Sequence, residues 1–206
     1  MSLDPLIDQM LEKAFAELQE GSFEDAIDEF TNCISLEPTK AKAYQGRALA
    51  SFKIKNWPAA VSDFKKAKEL DSNDAENWIG LGMSLAMVNE IYPAIDILET
   101  LIKNSPNYTR AHIQLGSLYY KIGIIKKGHE QMDLALASRP SLAERRMIEQ
   151  LKKEQLTLDK KRFYRPDFEE LRRKNKASSG LIKQLIEYMK KFAGTKDEQK
   201  EMDKNK

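Results

Sequence analysis

Apolar residues along this chain recur at three- and four-residue spacing in blocks of about a dozen, separated by short polar clusters. That periodicity predicts amphipathic helices, and no convincing strand pattern is visible. The blocks themselves repeat. Pro38, Ser72, Pro106 and Pro140 are spaced by 34 residues, and the same interval aligns Met10, Tyr44, Trp78 and His112. It also aligns Ala14, Ala48, Gly82 and Gly116, then Phe23, Trp57, Ile91 and Ile125. The second half of each block keeps register through Ala26, Ala60, Ala94 and Gly128, through Phe30, Phe64, Leu98 and Met132, and through Cys33, Ala67, Leu101 and Ala135. Self-similarity at a fixed period is the strongest signal in the sequence and marks a repeat array.

Each block predicts two antiparallel helices joined by a tight turn. Small residues at the Ala14 and Ala26 positions let the two helices approach closely, while aromatic and large aliphatic positions fill the remaining space. Gly21, Asn56, Asn89 and Gly123 fall at or next to the turn, where positive φ is tolerated. The prolines then stop the second helix. One such hairpin cannot bury its apolar faces alone, so neighbours must stack, which predicts an all-α fold, an α-solenoid of four hairpins. The units are placed at about 7–40, 41–74, 75–108 and 109–140.

Asp4-Pro5 fits the start of the first helix, with Asp4 capping and Pro5 in the first turn. Ser141 and Glu144 have capping-box spacing, so a further helix is expected over 141–164, closing the array, before Arg165-Pro166 breaks it. Residues 165–194 read as a helical appendage with a hinge near 177–180. The last dozen residues, 195–206, lack apolar content and are expected to be disordered.

This pattern resembles the tetratricopeptide-repeat family over about residues 7–140. The segments AENWIGLGMSLAMVNEIYPAIDILETLIKNSP and RAHIQLGSLYYKIGIIKKGHEQMDLALASRP carry the resemblance most clearly. The first unit departs most, with Lys13 and Glu17 where a large apolar residue is usual, as suits a terminal unit with one exposed side. The resemblance implies that the first helices of successive units line a concave face that holds a peptide or helix of a partner protein. In this sequence that lining would be Leu11, Phe15 and Leu18, then Lys42, Gln45, Leu49 and Phe52, then Ile79, Met83 and Met87, then Arg110, Ile113, Ser117, Tyr120 and Lys121. Members that clamp the carboxylate terminus of heat-shock chaperones share basic and asparagine residues on these helices. Here Phe15, Gly46, Glu76 and Gly80 stand at those positions, so that clamp is absent, although Arg47 beside Gly46 gives a superficial similarity. The mostly apolar lining suits an amphipathic or hydrophobic segment instead.

Charge and composition add two restrictions. Residues 1–140 hold 15 Lys/Arg against 20 Asp/Glu, whereas residues 141–206 hold 19 against 12, so an acidic body carries a basic tail. Positive and negative residues interleave through most of that tail, which favours a solvated helical surface over a nucleic-acid contact. No apolar run approaches the roughly 20 residues that span a bilayer, and no signal-peptide pattern opens the chain. A single cysteine, Cys33, agrees with a reducing, cytoplasmic setting.

Candidate chemistry is sparse. His112 and His129 are the two histidines, and neither has a Cys or His at metal-ligand spacing. His112 occupies an aromatic packing position of its unit, and Cys33 sits where other units have Ala or Leu, so both are expected in the core. No glycine loop follows a strand to cradle phosphate. No catalytic activity, cofactor or metal is expected.

The segment GLIKQLIEYMKKFAG, from Gly180 to Gly194, carries Leu181, Ile182, Leu185, Ile186, Met189 and Phe192 at helical spacing. A helix of this length is marginal in water without a surface to lie on. Three surfaces are open to it: the groove of its own chain, the groove of a second copy, or an anionic membrane surface with its lysines snorkelling beside it, which would make the chain a membrane-associated assembly protein. The stretch RFYRPDFEELRR, from Arg162 to Arg173, gathers three aromatics around a proline and reads as packing against the end of the array rather than as a docking motif.

Overall fold

The computed structural model describes residues 4–162, and the expectations for 163–206, the appendage, its apolar stripe and the tail, lie outside the described residues. Among the described residues there are nine helices and no strand. The chain divides into two units, Met1–Leu156 and Thr157–Lys206, and the contacts described below belong to the first. Four hairpins follow in order: α1 (Asp4–Glu20) with α2 (Phe23–Leu36), α3 (Ala41–Lys53) with α4 (Trp57–Leu70), α5 (Ala75–Met87) with α6 (Ile91–Asn104), and α7 (Thr109–Lys121) with α8 (Ile125–Ala137). A ninth helix, α9 (Leu142–Arg162), follows the last hairpin.

Every hairpin turn uses one device. The N–H groups of Ser22, Asn56, Glu90 and Ile124 each reach back five residues, to the carbonyls of Glu17, Ser51, Leu85 and Tyr119, at 2.8–2.9 Å. This bond pattern requires a left-handed residue just before the donor. Those residues are Gly21 (φ 90°), Lys55 (φ 64°), Asn89 (φ 67°) and Gly123 (φ 79°), spaced by the 34-residue period. In the second unit the positive φ therefore falls on Lys55, not on Asn56. Asn56 instead accepts a hydrogen bond from the Ala59 N–H at 3.4 Å, capping α4. Between units, α2 and α6 end two residues before Pro38 and Pro106, consistent with the extended backbone a proline imposes on the residue before it. The capping box forms as its spacing predicts: the Ser141 N–H donates to Glu144 Oε2 at 2.8 Å, and the Glu144 N–H donates to Ser141 Oγ at 3.3 Å. These bonds from Ser141 also hold the Glu144 carboxyl below the usual carboxylate range.

Stacking depends on a ring lodged in a gap. Phe30 of α2 and Phe64 of α4 are fully buried. A Cβ added at Gly46 of α3 would lie 2.1 Å from the Phe30 ring, and one at Gly80 of α5 would lie 2.3 Å from the Phe64 ring. α2 and α4 thus each press an aromatic ring onto the backbone of the next first helix, closer than any side chain permits. Ala14, Ala26, Ala48, Ala60 and Ala94 are also without exposed surface, as the small-residue register predicts. At the far end Ile148 of α9 packs with Ile113, Met132 and Ala135, so α9 covers the last hairpin. Cys33 is buried in the first-unit core, and burial pushes its thiol pKa up.

Gly80→Ala is expected to lower the free energy of unfolding by about 1–3 kcal/mol through overpacking against Phe64. Urea unfolding reads this directly, and an unchanged midpoint would show that the ring can yield. Lys55→Gly should shift the midpoint the other way. It removes a left-handed strain of about 1–2 kcal/mol against an added chain-entropy cost of about 0.5–1 kcal/mol.

Candidate functional site

The first helices run side by side within the unit, α1 against α3, α3 against α5 and α5 against α7. Two concavities open on this row. One, of 520 Å³, lies along α1 and reaches Lys42 of α3; the other, of 320 Å³, lies between α3 and α5. Leu49, Phe52 and Met83 line the second, over a floor of Phe64, Ile79 and the backbone at Gly80. Glu76, Arg110 and Lys53 stand at its edge.

Repeat register separates the expected lining into two sets. Leu11, Gln45, Ile79 and Ile113 occupy one position of the 34-residue period, and all are buried. Leu11 and Ile79 form the floors of the two concavities and Gln45 lines the second, whereas Ile113 belongs to the core under α9 rather than to the groove. Four residues further along the helix, Phe15, Leu49, Met83 and Ser117 keep part of their surface in water. Phe52 and Tyr120 are half-buried, and Met87 is exposed. Phe15 rests edge-on against Phe30 at 4.9 Å, and Phe52 against Trp57 at 4.8 Å, so these rings are held while one face stays open. Leu18 is half-buried and packs on the first-unit core.

The polar members of the expected lining are engaged between units. Lys42 Nζ donates to Asp74 Oδ2 at 2.8 Å and to Gln45 Oε1 at 3.0 Å. Gln45 Nε2 donates to Asp74 at 2.9 Å and to Asn77 Oδ1 at 2.8 Å. Arg110 pairs with Glu76, which also accepts from the Tyr108 hydroxyl at 2.6 Å. Burial, then the Glu76 hydrogen bond, pushes the Tyr108 pKa up to about 12. Lys121 Nζ donates to the Ala86 carbonyl at 3.3 Å. Burial opposes ionisation of Asp74, but the bonds from Lys42, Gln45 and the Glu76 N–H together hold its carboxyl below the usual range. The sequence carries a trace of this ladder. Asp8, Lys42, Glu76 and Arg110 alternate in sign at one repeat position, yet Asp74, its main acceptor, lies two residues outside that position.

Arg47 turns away from the groove. Its Nε and Nη2 donate to both carboxylate oxygens of Asp63 at 2.8 Å, and Nη1 donates to Thr31 Oγ1 at 3.1 Å, tying α2, α3 and α4 together. The hydrogen bond to Asp63 raises the Arg47 pKa further. The positions that an anion clamp needs, Gly46 and Gly80, are the ones filled by the Phe30 and Phe64 rings. His112 is buried, with Nε2 at 2.8 Å from the Pro106 carbonyl and Nδ1 at 2.8 Å from the Gln131 side-chain amide. Among the described residues no group of three or more His, Cys, Asp or Glu is arranged to hold a metal ion, and no helix is long and apolar enough to cross a membrane.

No family model matches the chain. A FAM10 family protein of Arabidopsis thaliana, At4g22670, is 38% identical over 78 residues, which cover 38% of this chain and 18% of the relative. The TPR repeat-containing thioredoxin TDX of the same plant is 33% identical over 78 residues, covering 38% of this chain and 20% of its own. The chain thus matches about a fifth of the length of these curated relatives. Among solved structures, the thermophilic TPR protein TTC0263 of Thermus thermophilus superposes with a TM-score of 0.65 at 17% identity, over 74% of this chain and 84% of that one. The second TPR domain of human RPAP3, in complex with the HSP70 peptide SGPTIEEVD, superposes with a TM-score of 0.51 at 23% identity, over 53% of this chain and 91% of that one. The chain has the fold of a tetratricopeptide-repeat protein. In tetratricopeptide terms, α1, α3, α5 and α7 are the first helices of their repeats, and the two concavities lie on the row they form.

Two measurements check these polar assignments. Asp63→Asn should lower stability by about 2–3 kcal/mol, because it leaves a largely buried guanidinium without its bidentate partner. Asp74 has a folded-state pKa below its unfolded value, so its ion pair stabilises fully above the unfolded carboxylate pKa of about 4 and is lost as pH falls through the folded value. The stability difference between the wild type and Asp74→Asn should therefore stay constant from about pH 5 to 8 and shrink below about pH 4.

Proposed function

We propose that this chain is a non-catalytic adaptor that holds a hydrophobic or amphipathic segment of a partner protein along its first helices. One observation carries the reading: Leu49, Phe52 and Met83, three large apolar side chains partly open to water, share a single 320 Å³ concavity between α3 and α5. Apolar surface gathered in one place on a water-facing row is costly unless something covers it. The flexible thioethers of Met83 and Met87 let such a surface accept more than one side-chain shape. Peptide capture by the RPAP3 repeat domain supports the use of this fold for binding a protein segment. The chemistry of the segment differs here. Ring packing at Gly46 and Gly80 leaves no room for anion-holding side chains, and the cations Lys42 and Arg110 are already paired.

Residues 181–192 are placed in this reading as an internal competitor for the concavity. Leu181, Ile182, Leu185, Ile186, Met189 and Phe192 present the same kind of apolar stripe that a partner would bring.

A fluorescent amphipathic-helix peptide titrated with the full chain tests both statements. Leu49→Glu or Met83→Glu, each at a water-facing site, should weaken binding by about tenfold or more, as for a buried apolar anchor. Affinity insensitive to both substitutions would move the site elsewhere. Ile186→Glu combined with Met189→Glu should strengthen binding by releasing the competitor, and unchanged affinity rules out self-occlusion.

A further inference from the structure

The first unit carries a second concavity whose surroundings specify the charge of what enters it. Along α1, positions 8, 12, 15, 16 and 19 fall on one helical face and line the 520 Å³ space. Leu11, Phe15 and Ala16 supply its apolar surface, while Asp8 and Glu12 stand on the same rim. The apolar part is firm: Leu11 is buried, and Phe15 is braced by the Phe30 ring. Lys42, the one cation of the lining, is held by Asp74 and Gln45.

The charge of this unit is lopsided. Residues 1–37 contain ten Asp and Glu and one basic residue, Lys13, whereas residues 38–140 contain fourteen Lys and Arg against ten Asp and Glu. Lys13 is itself paired with Glu29 and Glu17. Asp8 meets Lys40 at 2.9 Å but keeps 61% of its side chain in water, and Glu12 is exposed. The acidic residues of the array are therefore concentrated in residues 1–37, and two of them, Asp8 and Glu12, line a space whose apolar surface is Leu11, Phe15 and Ala16. The exposed carboxylate of Glu12 and the water-facing part of Asp8 disfavour an anionic peptide there and attract a cationic one.

We propose that the α1 concavity docks a cationic amphipathic helix of a partner protein. The apolar side chains of that helix lie on Leu11, Phe15 and Ala16, and its lysines or arginines face Asp8 and Glu12. This rests on the adaptor reading above and adds to it a second docking place, on the first unit, and the sign of the charge that it selects.

Three helical peptides with identical apolar positions, and with lysine, glutamine or glutamate on the polar face, test it against the full chain at low and high salt. The lysine peptide should bind about tenfold tighter than the glutamine peptide, with the glutamate peptide weakest. Its advantage should fade between about 0.05 and 0.5 M salt as screening shortens the reach of the carboxylates. Asp8→Asn combined with Glu12→Lys should abolish the lysine preference. Ala16→Gln, an exposed change on a helix, should reduce the lysine preference severalfold by filling the concavity, and Leu49→Glu, which acts on the α3–α5 concavity, should leave that preference in place. Equal binding of the three peptides overturns the inference while leaving the adaptor reading in place, as does a lysine preference lost in Leu49→Glu but kept in Ala16→Gln. Absence of binding by all three overturns both.

Discussion

The array depends on how closely a second helix can approach the next first helix. At Gly46 and Gly80 the backbone of the first helix is bare, and the Phe30 and Phe64 rings occupy the space that a side chain would take. Fully burying a phenylalanine contributes about 1.5–3 kcal/mol, so each such contact is a sizeable part of the holding energy between units. It also fixes geometry. A ring lodged against a backbone sets the separation of consecutive hairpins, and with it the spacing of α1, α3 and α5 along the concave row. Within the third and fourth hairpins the two helices also close on a glycine, Leu98 against Gly82 and Met132 against Gly116.

Once that spacing is set, the polar residues of the first helices find one another before they find a ligand. Lys42 and Gln45 reach Asp74 and Asn77, and Tyr108 and Arg110 reach Glu76, each link spanning about one repeat. The middle of the row is thereby left with Leu49, Phe52 and Met83 as its unengaged surface. Direct hydrogen bonds to a partner's termini or side chains have few free donors there, and apolar contact is what the site can offer. Arg47 illustrates the same competition: a guanidinium that sequence position places near a groove is drawn across the hairpin to Asp63 by a bidentate pair.

Charge is distributed unevenly along the array, and the unevenness falls where packing constrains least. The first unit packs on the second through α2 and α3, and its other described surface carries carboxylates at positions where the third and fourth units carry core residues. Lys13 and Glu17 stand at positions where the third and fourth units carry Leu81, Leu85, Leu115 and Tyr119, and Lys13 pairs at the surface with both Glu17 and Glu29. Two carboxylates of α1, Asp8 and Glu12, thereby stand beside the first-unit concavity.

Much of this was legible in the residue pattern. The 34-residue period, the hairpins, the second-helix stops, the capping box at Ser141 and the plug positions Phe30 and Phe64 all follow from local sequence, because helix period, turn chemistry and caps involve residues a few positions apart. The turn in the second unit was legible only to within one residue. Asn56 carries the favourable chemistry for positive φ, but the closing bond from its own N–H to Ser51 forces that conformation onto Lys55. The lining of the groove was legible as a face and not as a surface. Helical periodicity places Leu11, Gln45, Ile79 and Ile113 on the same side as Phe15, Leu49 and Met83. Whether a side chain one turn away is sealed or open depends on how wide the contact between neighbouring helices is, and that width is a property of packed rings and backbones in three dimensions. The ion pairs were likewise set by tertiary structure, since Asp63, Asp74 and Glu76 meet their partners across 16 to 34 residues of chain. Sequence determined the units, and their stacking decided which of their side chains remain free to meet anything else.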